Sequence, residues 1–187
     1  MTKRIAGIFI CCFLFICAMA GDGEYAVSRI SPALLKNADA VLRMETLRYE
    51  IVSPKELKEK HHYVVTILNE NGEAWSGFEM IYDKLRAFES LEGALYDANG
   101  KQLRKVKKKD IEDFSGVSDG SLFDDNRVKY HNFYYRVYPY TIEYNAEITY
   151  KSAFYLNAWS PQNGERLSVE NSAVSIICAP DYQFRFK

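Results

Sequence analysis

Between Tyr138 and Tyr150 the chain reads YPYTIEYNAEITY, and its side chains sort by parity. Tyr138, Tyr140, Ile142, Tyr144, Ala146, Ile148 and Tyr150 hold the even positions, while Pro139, Thr141, Glu143, Asn145, Glu147 and Thr149 hold the odd ones. Alternation with a period of two gives a segment one apolar and one wet face, which predicts a half-buried antiparallel strand. That spacing turns the tyrosines toward an interior and argues against a ligand platform.

The same reading extends along the chain. Asn71-Gly72, Asn99-Gly100 and Asn163-Gly164, with Asp119-Gly120 as a fourth candidate, are pairs that tolerate positive φ and suit tight hairpin turns. The first predicts a hairpin with Tyr63, Val65 and Ile67 before its turn and Trp75, Phe78 and Met80 after it. The second places Leu95 and Leu103 on either side of its turn. In AVLRMETLRYEIV the apolar phase slips from Leu42 and Met44 to Leu47, Tyr49 and Ile51, which predicts a bulge or bend near Glu45. A similar slip separates Leu167 and Val169 from Val174, Ile176 and Cys178. After Pro180, YQFRFK resumes alternation at Tyr182, Phe184 and Phe186.

Helical signals are few. Ser31-Pro32 ahead of ALLKNA predicts a short helix, because serine caps and proline suits the first turn. Ser53 and Glu56 stand at capping-box spacing and predict another. Residues 85–95 fit either a helix or a strand, and the turn just beyond favours the strand. Short strands with turn signals and no strand-helix alternation predict an all-β antiparallel sandwich with short helical turns. The expected organisation is a signal peptide over 1–20, a lead-in with a short helix over 21–38, and the sandwich over 39–187.

The leader reading comes from Lys3 and Arg4, the apolar run from Ile5 to Ala20, and the small residues of Ala18-Met19-Ala20 at the expected cut. The run is short for a bilayer span. Acylation at Cys17 is disfavoured by the bulky Ile16. The leader holds two of the 24 basic residues and none of the 25 acidic ones, so the mature chain carries a net charge of −3. Such a balance gives no basic lure for nucleic acid. Cys11, Cys12 and Cys17 all lie in the leader, leaving Cys178 without an intrachain disulfide partner. The expected location is the periplasm or the cell surface, with membrane contact only through the uncleaved leader.

Candidate chemistry is sparse. Cys178 with a histidine would make a minimal nucleophile and base, but it shares a strand face with Val174 and Ile176, and apolar burial raises a thiol's pKa. His61 and His62 are strand neighbours and point to opposite faces, while His131 stands alone, so no zinc cluster forms. Asp113, Asp119, Asp124, Asp125 and Asn126 offer hard oxygen atoms, yet their order does not match a calcium-binding loop. Arg104 to Asp110, RKVKKKD, reads as a charged edge strand that resists edge-to-edge pairing. Trp75 and the tyrosines read as core. Trp159, beside Pro161 and a turn, is the exception and the candidate ligand contact. No catalytic, cofactor-binding or metal-ligating residue is assigned, and no cofactor is expected.

Several stretches together resemble one family: TILNENGE, YDKLRAFESLEGALYDANGKQLRKVKKKDIEDFS, SLFDDNRVKYHNF, YPYTIEYNAEITYK and VSIICAPDYQFRFK. They look like the domain of unknown function 3857, which precedes a transglutaminase-like domain in exported proteins of Bacteroidetes-type bacteria. Its most specific parts are the run from Leu91-Glu92-Gly93 to Asp110 and the Asp124-Asp125-Asn126-Arg127 corner. The resemblance implies a non-catalytic β-sandwich accessory domain, and no active-site residue comes with it. In longer members a papain-like cysteine, histidine and aspartate follow; here the chain stops at Phe186-Lys187, in mid-alternation. The expectation is a sandwich truncated at its C-terminus, as a gene fragment or a stand-alone copy, whose partner is a transglutaminase-like domain in cis or in trans. The alternative reading is a cell-envelope glycan-binding module that acts through Trp159. A third, a thiol enzyme, requires an accessible and acidic Cys178.

Overall fold

The computed structural model describes residues 23–116, 126–153, 156 and 158–182. The leader, Asp119-Gly120, the aspartates at 119, 124 and 125, and the alternation at Phe184 and Phe186 lie outside the described residues. Among the described residues ten strands follow one another: β1 (Ala40–Ser53), β2 (Glu56–Ile67), β3 (Gly77–Tyr82), β4 (Arg86–Tyr96), β5 (Gln102–Lys105), β6 (Glu112–Ser115), β7 (Arg127–Asn132), β8 (Tyr140–Tyr150), β9 (Leu167–Val169) and β10 (Ser172–Ile177). They form two sheets. The larger runs β10-β1-β2-β8-β4-β5 with β9 also on β1, and the smaller runs β3-β7-β6. The all-β sandwich expected from alternation is what forms.

The predicted tyrosine strand is β8, at the centre of the larger sheet between β2 and β4. Its even-numbered residues pack inward: Tyr140, Ile142, Tyr144, Ala146 and Ile148 are all buried, together with Val65, Ile67, Leu91 and Leu95 from the same sheet and Phe78, Met80 and Phe133 from the other side. Tyr144 reaches from the larger sheet to the residues of the smaller one and the loop after it. Its ring lies 5.5 Å from Phe78 and stacks on Phe133 at 5.9 Å, and its hydroxyl sits 2.8 Å from His131 Nδ1. Aromatic pairs at such separations contribute about 0.5–1.5 kcal/mol beyond the area they bury.

The odd face of β8 is not uniformly wet. Thr141 is fully buried, its hydroxyl 2.8 Å from that of Thr66 on β2. The lead-in covers it: helix α1 (Pro32–Leu35) and the chain before it lie on this outer face, where Ile30, Ala38 and Val41 form a separate apolar cluster with Val27, Leu34, Leu35 and Leu68. Alternation reports which side chains share a face but not what lies over it. The predicted short helix at Ser31-Pro32 is one turn long, and the Ser31 side chain makes no capping bond.

Three expectations are corrected. Asn71-Gly72 does not close a hairpin. It lies in a 3-10 turn, Glu70–Trp75, where the Asn69 side chain accepts the Asn71 N–H and the chain crosses from one sheet to the other, so that β2 pairs with β1 and β8 while β3 pairs with β7. Ser53 and Glu56 do not cap a helix. They face each other across the β1–β2 turn, and the Ser53 hydroxyl accepts the Lys55 N–H at 3.2 Å. Asn163-Gly164 leads not into a hairpin but into β9, which with β10 runs parallel to β1. A parallel pair cannot be joined by a tight hairpin turn.

Other expectations hold. Asn99-Gly100 closes the β4–β5 hairpin, with Gly100 at φ 77 and the Asp97 carboxylate accepting the Asn99 and Lys101 N–H groups. Residues 86–96 are strand. The phase slip in β1 is a register shift between Leu42 and Met44, just before Glu45. No helix among the described residues is long and apolar enough to cross a membrane.

Candidate functional site

Among the described residues β10 and β5 are the outermost strands of the larger sheet, and they are the surfaces with the most pronounced chemistry. At one edge β10, SAVSII, pairs with β1 alone, and its Val174, Ile176 and Ile177 are 39%, 41% and 38% exposed. The expectation that Val174 and Ile176 share a buried face with Cys178 is therefore corrected: among the described residues no strand lies beyond β10 to cover them. Cys178 itself is half-buried just past the strand, against the cluster of Tyr49, Ile51 and Leu57.

Trp159 stands beside this edge, 38% exposed. Its indole N–H donates to Ser172 Oγ at 3.2 Å, Ser172 donates to Glu45 Oε2 at 3.0 Å, and Glu45 Oε1 lies 3.3 Å from His61 Nε2. The His61 hydrogen bond and that from Ser172 hold the Glu45 carboxyl below its usual range, against the opposing effect of burial. The order of these groups matters. Ser172 gives its proton to the Glu45 carboxylate and accepts from the indole N–H, so this run of hydrogen bonds fixes the indole ring in place. The candidate ligand contact thus stays part-exposed while its polar handle is used internally.

The opposite edge is β5, all of whose residues are exposed. Inward of it opens a cleft of about 650 Å³, lined by Arg104, Lys105, Lys107, Asp110, His131 and Tyr134 among others. Arg104 Nη2 donates to the Phe133 carbonyl at 2.6 Å, and its guanidinium lies over the rings of Phe133 and Tyr135. The charged-edge reading of RKVKKKD agrees with this position. His131 forms the floor; it is buried, and burial pushes its imidazole below the ordinary histidine range.

Between the edges, two carboxylates organise the larger sheet. Glu143 accepts from Tyr25 at 3.0 Å and Tyr96 at 2.7 Å and faces His62 Nε2 at 3.0 Å. The His62 bond, with those from the tyrosines, holds its carboxyl down to about 2. Glu59, buried, accepts from Tyr150 at 2.5 Å. Burial pushes the Tyr150 and Tyr49 hydroxyls above their ordinary range, and the Glu59 charge adds to it. The strand parity of Glu143 was visible in the sequence. Its role in pinning the lead-in through Tyr25 was not.

The histidines lie apart, as their spacing predicts: His61 faces Glu45, His62 faces Glu143 and His131 faces Tyr144. None is brought to Cys178 by a hydrogen bond among the described residues. Asp113 bonds Lys129, Arg127 and Tyr82 at the surface. Among the described residues no group of three or more histidine, cysteine, aspartate or glutamate side chains is placed to hold a metal.

Residues 54–187 match the model of a family described as "Domain of Unknown Function with solved-structure structure (DUF3857)". The chain belongs to this family. In this DUF3857 chain β1 lies ahead of the matched stretch, yet it is hydrogen-bonded to β2, β9 and β10, so the folded unit starts upstream of the match. No curated protein matches the chain. Among solved structures, the crystal structure of a protein from Parabacteroides distasonis ATCC 8503, described as a "putative protease", superposes with a TM-score of 0.54 at 9% sequence identity. The superposition covers 63% of this chain and 24% of that one, so the shared fold is a minor part of a longer protein. At that identity the likeness is one of fold.

Proposed function

We propose that this DUF3857 chain is an exported, non-catalytic accessory module that packs N-terminal to a transglutaminase-like domain, in cis or in trans, and that the β10 edge is where the two meet. The observation that carries this reading is the edge itself, a strand of SAVSII without one charged residue and with three aliphatic side chains in water. Edge strands that stay free are blunted by charge, proline or bulges; β10 has none of these, and covering it removes apolar surface from water at about 25 cal/mol per Å². Family membership supports the reading, as does the occurrence of this fold within a longer chain described as a "putative protease". The leader directs the chain to the periplasm or the cell surface.

Calorimetric titration of the purified protein with the isolated transglutaminase-like domain of a longer family member tests this. Saturable binding is expected, and Val174→Lys with Ile176→Lys abolishes it while the thermal midpoint is unchanged. Absence of binding rejects the reading. So does hydrolase or acyl-transfer activity in the purified protein that disappears in Cys178→Ser.

A second reading, a cell-envelope glycan-binding module, is favoured by the fixed and part-exposed ring of Trp159. Aromatic faces held in one orientation stack on sugar rings at low entropic cost. It expects Trp159→Ala to weaken binding to a polysaccharide without unfolding the domain, and binding to no member of a broad glycan panel removes it.

A further inference from the structure

We infer that the cleft along β5 is a second docking site, which takes an extended acidic peptide from another protein as an added strand. Two observations converge on it. The first is a backbone edge with no strand beyond it among the described residues. Val106 donates its N–H to Gly93 O at 2.8 Å, so Val106 faces β4; by antiparallel alternation Lys105 turns its own N–H and C=O outward, away from the sheet. The second is charge. Lys105, Lys107 and Arg104 line the cleft against a single acidic side chain, Asp110, and the neighbouring Lys101, Lys108 and Lys109 extend the basic surface. Apart from Arg104, none of these basic side chains has an ion pair or side-chain hydrogen bond among the described residues. Tyr134, 70% exposed at φ 48, stands at the mouth of the cleft with its hydroxyl on Glu112.

The chemistry selects the occupant. A polypeptide repeats its N–H and C=O groups with the same two-residue period as the β5 edge, about 6.6–6.8 Å, and alternates its side chains across the strand. Every second side chain of an added strand enters the cleft, where acidic groups meet Arg104 and Lys107, while those between meet solvent. The charges that stop β5 from pairing with a copy of itself are the ones that admit a strand of opposite sign. The site is separate from β10, on the far side of the larger sheet.

The test is fluorescence anisotropy of a short labelled peptide of alternating glutamate and valine against the purified protein. Saturable binding is expected, weakening about tenfold as salt rises from about 50 to about 300 mM. Lys105→Glu with Lys107→Glu should weaken it by at least about tenfold, since like charges then face each other. Both residues are at the surface, so the variant's thermal midpoint should match the parent's. Lys58→Glu with Lys60→Glu, on the outer face of β2, should bind as the parent does. Hydrogen exchange at the Lys105 amide should slow in the complex. No binding at low salt overturns the inference, as does equal weakening by the β2 variant. An unprotected Lys105 amide, together with equal affinity for polygalacturonate, also overturns it, because the surface would then be a general anion attractor and not a strand acceptor.

Discussion

The β5 and β10 edges close the same seven-stranded sheet, and among the described residues both leave backbone groups without a strand partner, yet their side chains are opposite in kind. β5 and the residues after it carry Arg104, Lys105 and Lys107 to Lys109; β10 carries serine, alanine, valine and isoleucine with no charge. An edge of the first kind stays open in water because bringing a similar edge against it is repulsive, whereas the second kind gains by being covered. The contrast indicates that exposure alone does not define an interface: the charge of the edge decides which occupant it accepts.

The largest effect that sharpens this contrast is in the core beneath β5. Leu95→Ala, at a fully buried β4 position facing Arg104, should destabilise the fold by about 2–5 kcal/mol. Val174→Ala on β10 should cost about 0.5 kcal/mol or less in the isolated protein. Urea denaturation reads both, and a Val174 penalty as large as that of Leu95 would mean that β10 is already covered.

Gly93→Ala should cost about 1–3 kcal/mol by overpacking and loosen β4 from β8, since a Cβ there would run into the Glu143 carbonyl and lie 2.8 Å from the Tyr144 ring, both on β8. Faster amide exchange in β4 and β5, with β10 unchanged, checks it.

Acid acts on the strip between the edges. Glu143 titrates at about 2 in the folded chain against an ordinary 4.5, so the unfolded chain binds more protons between those values. Its contribution is fully present above 4.5 and is lost as pH falls toward about 2. Glu143→Gln should flatten the thermal midpoint across that window; an unchanged slope would place the acid sensitivity elsewhere.

Glu45→Gln should cost about 1–2 kcal/mol, through charge-assisted bonds lost to His61 and Ser172, and should increase exchange in β10 but not in β5. The folded Glu45 carboxyl lies below its usual range, so falling pH should loosen β10 in the same selective way. The smallest effect is Lys107→Glu, which should move stability by no more than about 0.5 kcal/mol while changing the charge of the cleft.

Much of the fold was legible residue by residue. β8 follows from the parity of Tyr140, Ile142, Tyr144 and Ile148, the β4–β5 hairpin from Asn99-Gly100, and the charged edge from RKVKKKD. Reading Asn71-Gly72 as a hairpin failed because the pair marks only where the chain bends. Whether the next strand stays in the same sheet depends on contacts with residues far along the chain, here the pairing of β3 with β7. Of the candidate sites, the outward placement of Trp159 was legible, since it sits by Pro161 and a turn. Its tie through Ser172 to Glu45 and His61 was not, because Glu45 and His61 lie about a hundred positions from Trp159 and carry no shared spacing with it.

The sequence by itself determined the central strand β8, the β4–β5 hairpin and the sharing of a face by alternate side chains, since these follow from local backbone geometry. It also determined the charge of the β5 edge and the lack of charge on β10. Only the tertiary structure decided the order of the strands, the parallel seating of β9 and β10 on β1, and the burial of Thr141 beneath the lead-in. The entropy of closing a loop changes slowly with its length, so near and distant partners compete on almost equal terms, and packing across the whole chain makes the choice.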